Sequence, residues 1–337
     1  MSPRALLELQ NLSTHYVSAR GTRVVRAVED VSLRIAAGET LGIVGESGSG
    51  KSTLALTILR LLPPAARIPS GRMLFEGKDL LQMSDAEMRR VRGKRIAMIL
   101  QDPMASLNPL FTVGDQVAEP IRVHEGATRA SAWTRARDLL KAVRIPSPQA
   151  RLSQYPHEMS GGMRQRIVGA IGISCEPRLL IADEPTTSLD LTIQAQYLNL
   201  LRELQRAHGL ALIFITHNLG IVAKMCDQLA VMYAGRVVEQ GPVRQIFRAP
   251  AHPYTRALLN SIPRMSDGRQ RLTAIDGQPP DLSALPPGCA FAPRCLSAFD
   301  RCREAEPPEV AGVENSRVRC WLTAPGAGRG NAGTGAL

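Results

Sequence analysis

Apolar and polar residues alternate along the first 35 positions of the chain. Successive side chains of an extended chain point to opposite faces, so Leu6 to Leu12 and Val24 to Ile35 are expected to be strands bounded by polar turns. Ala37-Gly38-Glu39 makes a turn, and Thr40 to Val44 is a short, continuously apolar run of the buried-strand kind. A glycine-rich stretch follows. Ser52 to Leu62 then reads as a helix, stopped by Pro63-Pro64. Arg95 to Leu100, Leu179 to Ala182 and Ala211 to Ile215 are further apolar strands. Leu229 to Val238 resembles a strand pair turning at Ala234-Gly235. From about 112 to 175 the period is mostly helical, broken by Pro146 and Pro156. Strands alternating with helices predict an α/β fold, with a parallel sheet covered on both faces and a helical insertion.

Past Gly241-Pro242 the character changes. Residues 241–337 hold no Lys, many Pro and four of the six cysteines. The stretch 241–322 reads as a small separate extension, and the Gly/Ala-rich 323–337 as a disordered tail. A chain of 337 residues, 44% hydrophobic, can bury a sizeable core and is expected to form about two domains. Its longest apolar runs, such as Leu210 to Ile215, fall far below the ~18 residues of a membrane helix. Met1 to Gln10 has no sustained apolar stretch, so no secretory signal is expected. These features predict a cytoplasmic protein, unless a partner holds it at a membrane. In that reducing setting the cysteines are not expected to form structural disulfides. The net charge of +11 suggests an anionic partner: nucleic acid, nucleotide or a lipid surface. Only Lys51, Lys78, Lys94, Lys141 and Lys224 are lysines; the remaining basic residues are Arg.

The motifs narrow that choice of anion. Gly45, Glu46, Ser47, Gly48, Ser49, Gly50, Lys51 and Ser52, with Thr53 behind them, fit the phosphate-loop pattern and lie between a strand and a helix. Glycines let backbone N–H groups curl around phosphate oxygens, and the helix N-terminus adds partial positive charge. Lys51 is expected to reach the β- and γ-phosphates, and the Ser52 hydroxyl to ligate Mg²⁺. Leu179 to Ala182 ends in Asp183-Glu184. A carboxylate at a strand's C-terminal end, beside a phosphate loop, can hold Mg²⁺, the role expected of Asp183. Glu184 is expected to orient or deprotonate the attacking water. Ser160-Gly161-Gly162-Met163-Arg164-Gln165 opens a helix and is by itself an ordinary capped N-terminus that can also serve as an anion site.

The phosphate loop, Gln101, Ser160-Gly161-Gly162-x-x-Gln165, Asp183-Glu184, Ser188-Leu189-Asp190 and His217, in this order and spacing, resemble the ATPase subunits of ABC transporters over residues 1 to about 240. The resemblance implies a P-loop NTPase core with antiparallel β and helical subdomains, the helical one at about 102–175. It implies two such domains paired head to tail, with ATP between the phosphate loop of one and the Ser160, Gly161, Gly162 and Gln165 signature of the other. Gln101 would ligate Mg²⁺ and the attacking water and report to the membrane subunit. His217 would contact the γ-phosphate, Tyr16 stack on adenine, and Ser188 and Asp190 face the dimer partner. Asn218 stands where an acid is common, and Met159 where Leu is usual; neither touches the hydrolytic residues, so the chain is expected to hydrolyse ATP.

Phe247 to Leu259 and Gly288-Cys289 through Arg294-Cys295, then Cys302 and Cys320, resemble the extension of peptide and nickel importers. This places the chain among dipeptide/oligopeptide importer ATPases. The resemblance implies a second, paralogous ATPase, two membrane permeases, an extracytoplasmic solute-binding protein, and a place on the cytoplasmic face of the plasma membrane; no nucleic acid is implied. A nickel or other small-solute importer, a soluble ABC ATPase of DNA repair or translation, and a non-hydrolysing regulatory subunit are the other classes considered. The single phosphate loop speaks against the soluble class, and Glu184 and His217 against the regulatory one. Cys289, Cys295, Cys302 and Cys320 lack the C-x2–4-C pairs usual for zinc. Four thiolates on an irregular loop can hold a [4Fe–4S] cluster, which the resemblance implies here; zinc and unmetallated thiols remain alternatives.

Overall fold

The computed structural model describes residues 5–187, 189–261 and 275–324. Strands β1 (Ala5–Val17), β2 (Val24–Ala36), β3 (Thr40–Val44), β4 (Ala66–Phe75), β5 (Lys78–Asp79), β6 (Ile96–Ile99), β7 (Leu179–Asp183), β8 (Ala211–Ile215), β9 (Gln228–Tyr233), β10 (Arg236–Pro242), β11 (Glu309–Ala311) and β12 (Arg317–Arg319) form two sheets. One is antiparallel, in the order β2-β1-β4-β5. The other is mixed and runs β11-β12-β10-β9-β3-β8-β7-β6. In it β6, β7, β8, β3 and β9 are parallel, and β10, β12 and β11 add on antiparallel.

The continuously apolar runs are the central strands. Every residue of β3, β7 and β8 is buried, because packed elements cover both faces. On one face lies a core shared by the antiparallel sheet and the Lys51–Ile58 helix, containing Leu12, Leu54, Met73 and Ile213. On the other the helices Val113–Glu125, Arg129–Ala142, Gly161–Ile173 and Leu191–His208 bury Val117, Leu140, Ile167 and Leu201 against Ile99 and Phe214.

Two local expectations are revised. The helix after the phosphate loop ends at Ile58, ahead of the prolines. Arg60 enters the left-handed region (φ 51°), Leu61 N–H donates back to the Leu56 carbonyl at 2.9 Å, and the Arg60 guanidinium donates to the carbonyls of Leu80 and Met83. Second, β4 was not foreseen, because Pro69 and Gly71 interrupt any alternation. Gly71 lies at φ 106°, and a Cβ there would stand 2.5 Å from the Leu12 Cα, so the close approach of β4 to β1 demands glycine.

The C-terminal segment folds onto the core. β12 pairs with β10, extending the main sheet. Arg319 donates to the Asp30 carboxylate at 2.8 Å, and Arg26 N–H donates to the Leu282 carbonyl at 3.0 Å. The Pro253–Asn260 helix is capped by His252, whose Nδ1 accepts from Tyr254 N–H at 3.0 Å. His252 is 1% exposed, and burial, with the Arg256 charge nearby, pushes its pKa down to about 3. The unfolded chain therefore binds a proton between pH 6.5 and about 3 that the folded chain refuses, so stability falls as pH drops through that window. At about 1.4 kcal/mol per pKa unit the loss amounts to several kcal/mol. His252→Asn keeps a capping acceptor and cannot titrate there. Thermal melting between pH 7 and 4 is expected to show a flatter stability curve for His252→Asn than for the unmodified chain; parallel curves would refute the assignment.

Candidate functional site

The carboxyl ends of β3, β7 and β8 lie side by side, so the residues that follow them converge. After β3 comes the phosphate loop. Gly50 caps the Lys51–Ile58 helix at φ 102°, and a Cβ there would fall 2.1 Å from the Ala27 carbonyl oxygen. The turn between β9 and β10 braces the same loop, with Gly235 N–H donating to the Ser49 carbonyl at 3.0 Å. Ser47 and Gly48 form its exposed tip. Lys51 is 6% exposed, and its Nζ donates to the carbonyls of Gly45 and Glu46 at 2.8 Å each and to Ser49 Oγ at 3.3 Å. Burial pulls its pKa down, against the opposing pull of Glu184, Asp183 and Glu46.

Asp183 ends β7 and is 4% exposed. Burial pushes its pKa up and the Glu184 charge adds to this; a hydrogen bond from Ser52 and the charge of Lys51 oppose them. Its Oδ1 has no hydrogen-bond partner. A buried carboxylate oxygen without a partner beside a hydroxyl at a phosphate loop fits a hard divalent cation, which takes oxygen ligands. Glu184 follows in the left-handed region (φ 45°), its N–H donating to the Ile215 carbonyl at 2.9 Å. Its Oε2 accepts from Gln101 Nε2 at 3.1 Å and from the Thr187 hydroxyl at 3.0 Å, and lies 3.4 Å from His217 Nδ1. Gln101, Glu184 and His217, drawn from three separate loops, thus meet around one carboxylate oxygen. Thr187 was missed, since a hydroxyl in a Pro-Thr-Thr run carries no distinguishing pattern. The Tyr16 hydroxyl is 3.3 Å from Thr53 Oγ1, which sets its ring beside the first turn of the Lys51–Ile58 helix.

Other expected residues divide. Ser160 caps the Gly161–Ile173 helix, its Oγ accepting from Met163 N–H, and Ser160 and Gly161 are exposed. Gln165 does not join them. It is wholly buried on the face packed toward Tyr197, so its amide cannot meet a ligand at the helix end. Glu46 is also corrected: its carboxylate pairs with Arg294 and its N–H donates to the Tyr254 hydroxyl, which turns both away from the phosphate site. Asp190 caps the Leu191–His208 helix, its Oδ1 accepting from the N–H groups of Thr192 and Ile193. Asn218 caps Leu219–Met225 in the same way, a role Asn fills as well as an acid. Ser188 lies outside the described residues.

Cys289, Cys295, Cys302 and Cys320 line one small cavity with Phe291 and Trp321. All four are free thiols, and burial pushes the pKa of Cys289 and Cys295 up and that of Cys320 to about 11. Among the described residues no three His, Cys, Asp or Glu side chains are gathered closely enough to hold a metal ion. The donor set expected for an iron–sulfur cluster therefore faces one cavity but is not drawn in around a single metal ion. Beside the site, Leu100, next to Gln101, joins Leu61 and Val123 in an exposed, largely apolar groove of about 420 Å³. No helix among the described residues is long and apolar enough to cross a membrane.

Comparison with known proteins identifies the family. Residues 28–187 match the ABC transporter family, and residues 238–302 the C-terminal region of oligopeptide/dipeptide transporters. A dipeptide transport ATP-binding protein of Bacillus subtilis is 49% identical over 318 residues, spanning 94% of each chain. An oligopeptide transport ATP-binding protein of Haemophilus influenzae is 46% identical over 320 residues, 95% of this chain and 98% of its own. Among solved structures, a dimeric ATP-binding cassette in a post-hydrolysis state with ADP and Pi superposes with a TM-score of 0.63 at 26% identity. It covers 71% of this chain and 99% of the cassette.

Proposed function

The chain belongs to the family of ABC transporter ATP-binding subunits, in its oligopeptide/dipeptide branch, and on that premise we propose that it hydrolyses ATP to drive peptide import. The observation that carries the hydrolytic part is the meeting of Gln101, Glu184 and His217 at one oxygen, beside Lys51 and the phosphate loop. ATP is the substrate. Backbone N–H groups of Gly48, Gly50, Lys51, Ser52 and Thr53 receive its phosphates, and the Tyr16 ring stacks on adenine. Lys51 then exchanges the loop carbonyls for phosphate oxygens, which also relieves the cost of its burial. Ser52, Asp183 and Gln101 would hold Mg²⁺, which neutralises charge on the phosphates when bound. Glu184 takes a proton from the attacking water, Gln101 orients that water, and His217 contacts the γ-phosphate.

The exposed Ser160 and Gly161, with Gly162 beside them, support a second anion site that receives the γ-phosphate held by a partner ATPase. Closure of such a pair on ATP, and its release on hydrolysis, supplies the stroke. The apolar groove at Leu61, Leu100 and Val123 supports a surface for the membrane permeases, since Leu100 adjoins Gln101. The subunit then acts peripherally at the cytoplasmic face of the membrane, with a solute-binding protein delivering peptide from outside. Uptake of labelled peptide by vesicles carrying the assembled transporter tests this reading.

The four thiols of the C-terminal segment are the donor set for a [4Fe–4S] cluster in preference to zinc. Their convergence on one cavity and their irregular spacing support this. Protein purified without oxygen is expected to contain iron and labile sulfide in equal amounts; zinc without sulfide would refute it.

A further inference from the structure

Glu46, the second residue of the phosphate loop, is gripped by the C-terminal segment. Arg294 Nη1 and Nη2 donate to its two carboxylate oxygens at 2.7 and 3.0 Å, and its N–H donates to the Tyr254 hydroxyl at 3.0 Å. Arg294 is itself fixed. Its Nε and Nη2 donate to the carbonyls of Asp276 and Ile275 at 2.9 and 3.3 Å, and its guanidinium lies 5.8 Å from the Tyr233 ring centroid. The Arg294 side chain is only 5% exposed, and Tyr254 is wholly buried, packed on Tyr233 and Phe291. A bidentate pair between two such held groups is rigid as well as strong. The other end of the same residue faces the loop lysine: the Glu46 carbonyl accepts from Lys51 Nζ and from Ser49 N–H. One residue therefore connects the grip of the C-terminal segment to the lysine that meets phosphate.

We infer that Arg294 and Tyr254 are positioning residues for ATP: through Glu46 they hold the phosphate loop in its binding curl. A loop containing Gly45, Gly48 and Gly50 has much conformational freedom to lose when its N–H groups close on phosphate. Fixing it beforehand from outside lowers that cost of binding. None of these hydrogen bonds involves Gln101, Glu184 or His217, so the grip acts on affinity and not on the chemical step. The inference rests on the ATPase reading above, and it makes the C-terminal segment a working part of the nucleotide site.

The full-length chain carrying Arg294→Ala, Arg294→Lys or Tyr254→Phe provides the test. Equilibrium binding of a fluorescent ATP analogue is read on the isolated chain, and KM and kcat for ATP on the assembled transporter. Coupling between sites typically changes affinity by about 5- to 150-fold. Arg294→Ala is expected to weaken binding of both ATP and ADP about tenfold and to raise KM in parallel, with kcat at saturating ATP little changed. Arg294→Lys and Tyr254→Phe should move the same way by less. Adding Glu46→Ala to Arg294→Ala should cost nothing further, because the carboxylate has already lost its Arg294 partner and the Glu46 N–H keeps the Tyr254 hydroxyl in both variants. Unchanged affinity in a folded Arg294→Ala chain, a fall in kcat at constant KM, or additive losses in the double variant would overturn the inference. If Arg294→Ala does not fold, Arg294→Lys and Tyr254→Phe decide by the same readouts. Failure of the unmodified chain to bind nucleotide would instead overturn the ATPase reading.

Discussion

Replacement of Glu184 by Gln is expected to lower ATP turnover by about 10²- to 10⁴-fold, the usual range for loss of a positioned general base. The change is nearly isosteric. It removes only the charge and the capacity to take a proton, while Gln101 Nε2 and the Thr187 hydroxyl still have an oxygen to donate to. Nucleotide affinity should hold or rise, because one negative charge beside the phosphates is gone. Steady-state phosphate release and equilibrium nucleotide binding, measured on the same preparation, separate the two effects. Turnover within tenfold of the unmodified chain would mean that the base lies elsewhere.

Lys51→Ala is expected to weaken nucleotide binding by about 100-fold or more. A hydrogen bond to a charged group contributes about 1.5–3 kcal/mol, and Lys51 would make more than one to phosphate. Each 1.4 kcal/mol corresponds to about tenfold in affinity. In the free chain the same ammonium is held by the carbonyls of Gly45 and Glu46, so the loop is already shaped around it. The variant therefore loses both the charge and part of the loop's order. Binding of a fluorescent ATP analogue, with melting curves to establish that the chain folds, checks this. Affinity within threefold would contradict the role given to Lys51.

What could be read from the chain alone was what local pattern encodes. β3, β7 and β8 were legible because a strand buried on both faces must be apolar throughout. The phosphate loop was legible because it is one contiguous run between a strand and a helix. β4 was not, since Pro69 and Gly71 break its pattern and only the approach to Leu12 explains the glycine. Gln165 was misjudged because a motif carries no direction: one turn into its helix the side chain faces the core beside Tyr197. The Arg294–Glu46 pair spans 248 positions, and no local spacing announces it. The same holds for β11 and β12, three residues each, which become strands only by pairing at the edge of a sheet built elsewhere.

Vesicles containing this chain assembled with its membrane partners, supplied with binding protein outside and ATP at the face the chain occupies, offer the most direct measurement. Labelled peptide is expected to cross only with ATP, and Glu184→Gln in this chain to lower uptake together with ATP hydrolysis. Undiminished peptide uptake by the Glu184→Gln assembly, or hydrolysis that proceeds with no peptide movement under any peptide length, would contradict it.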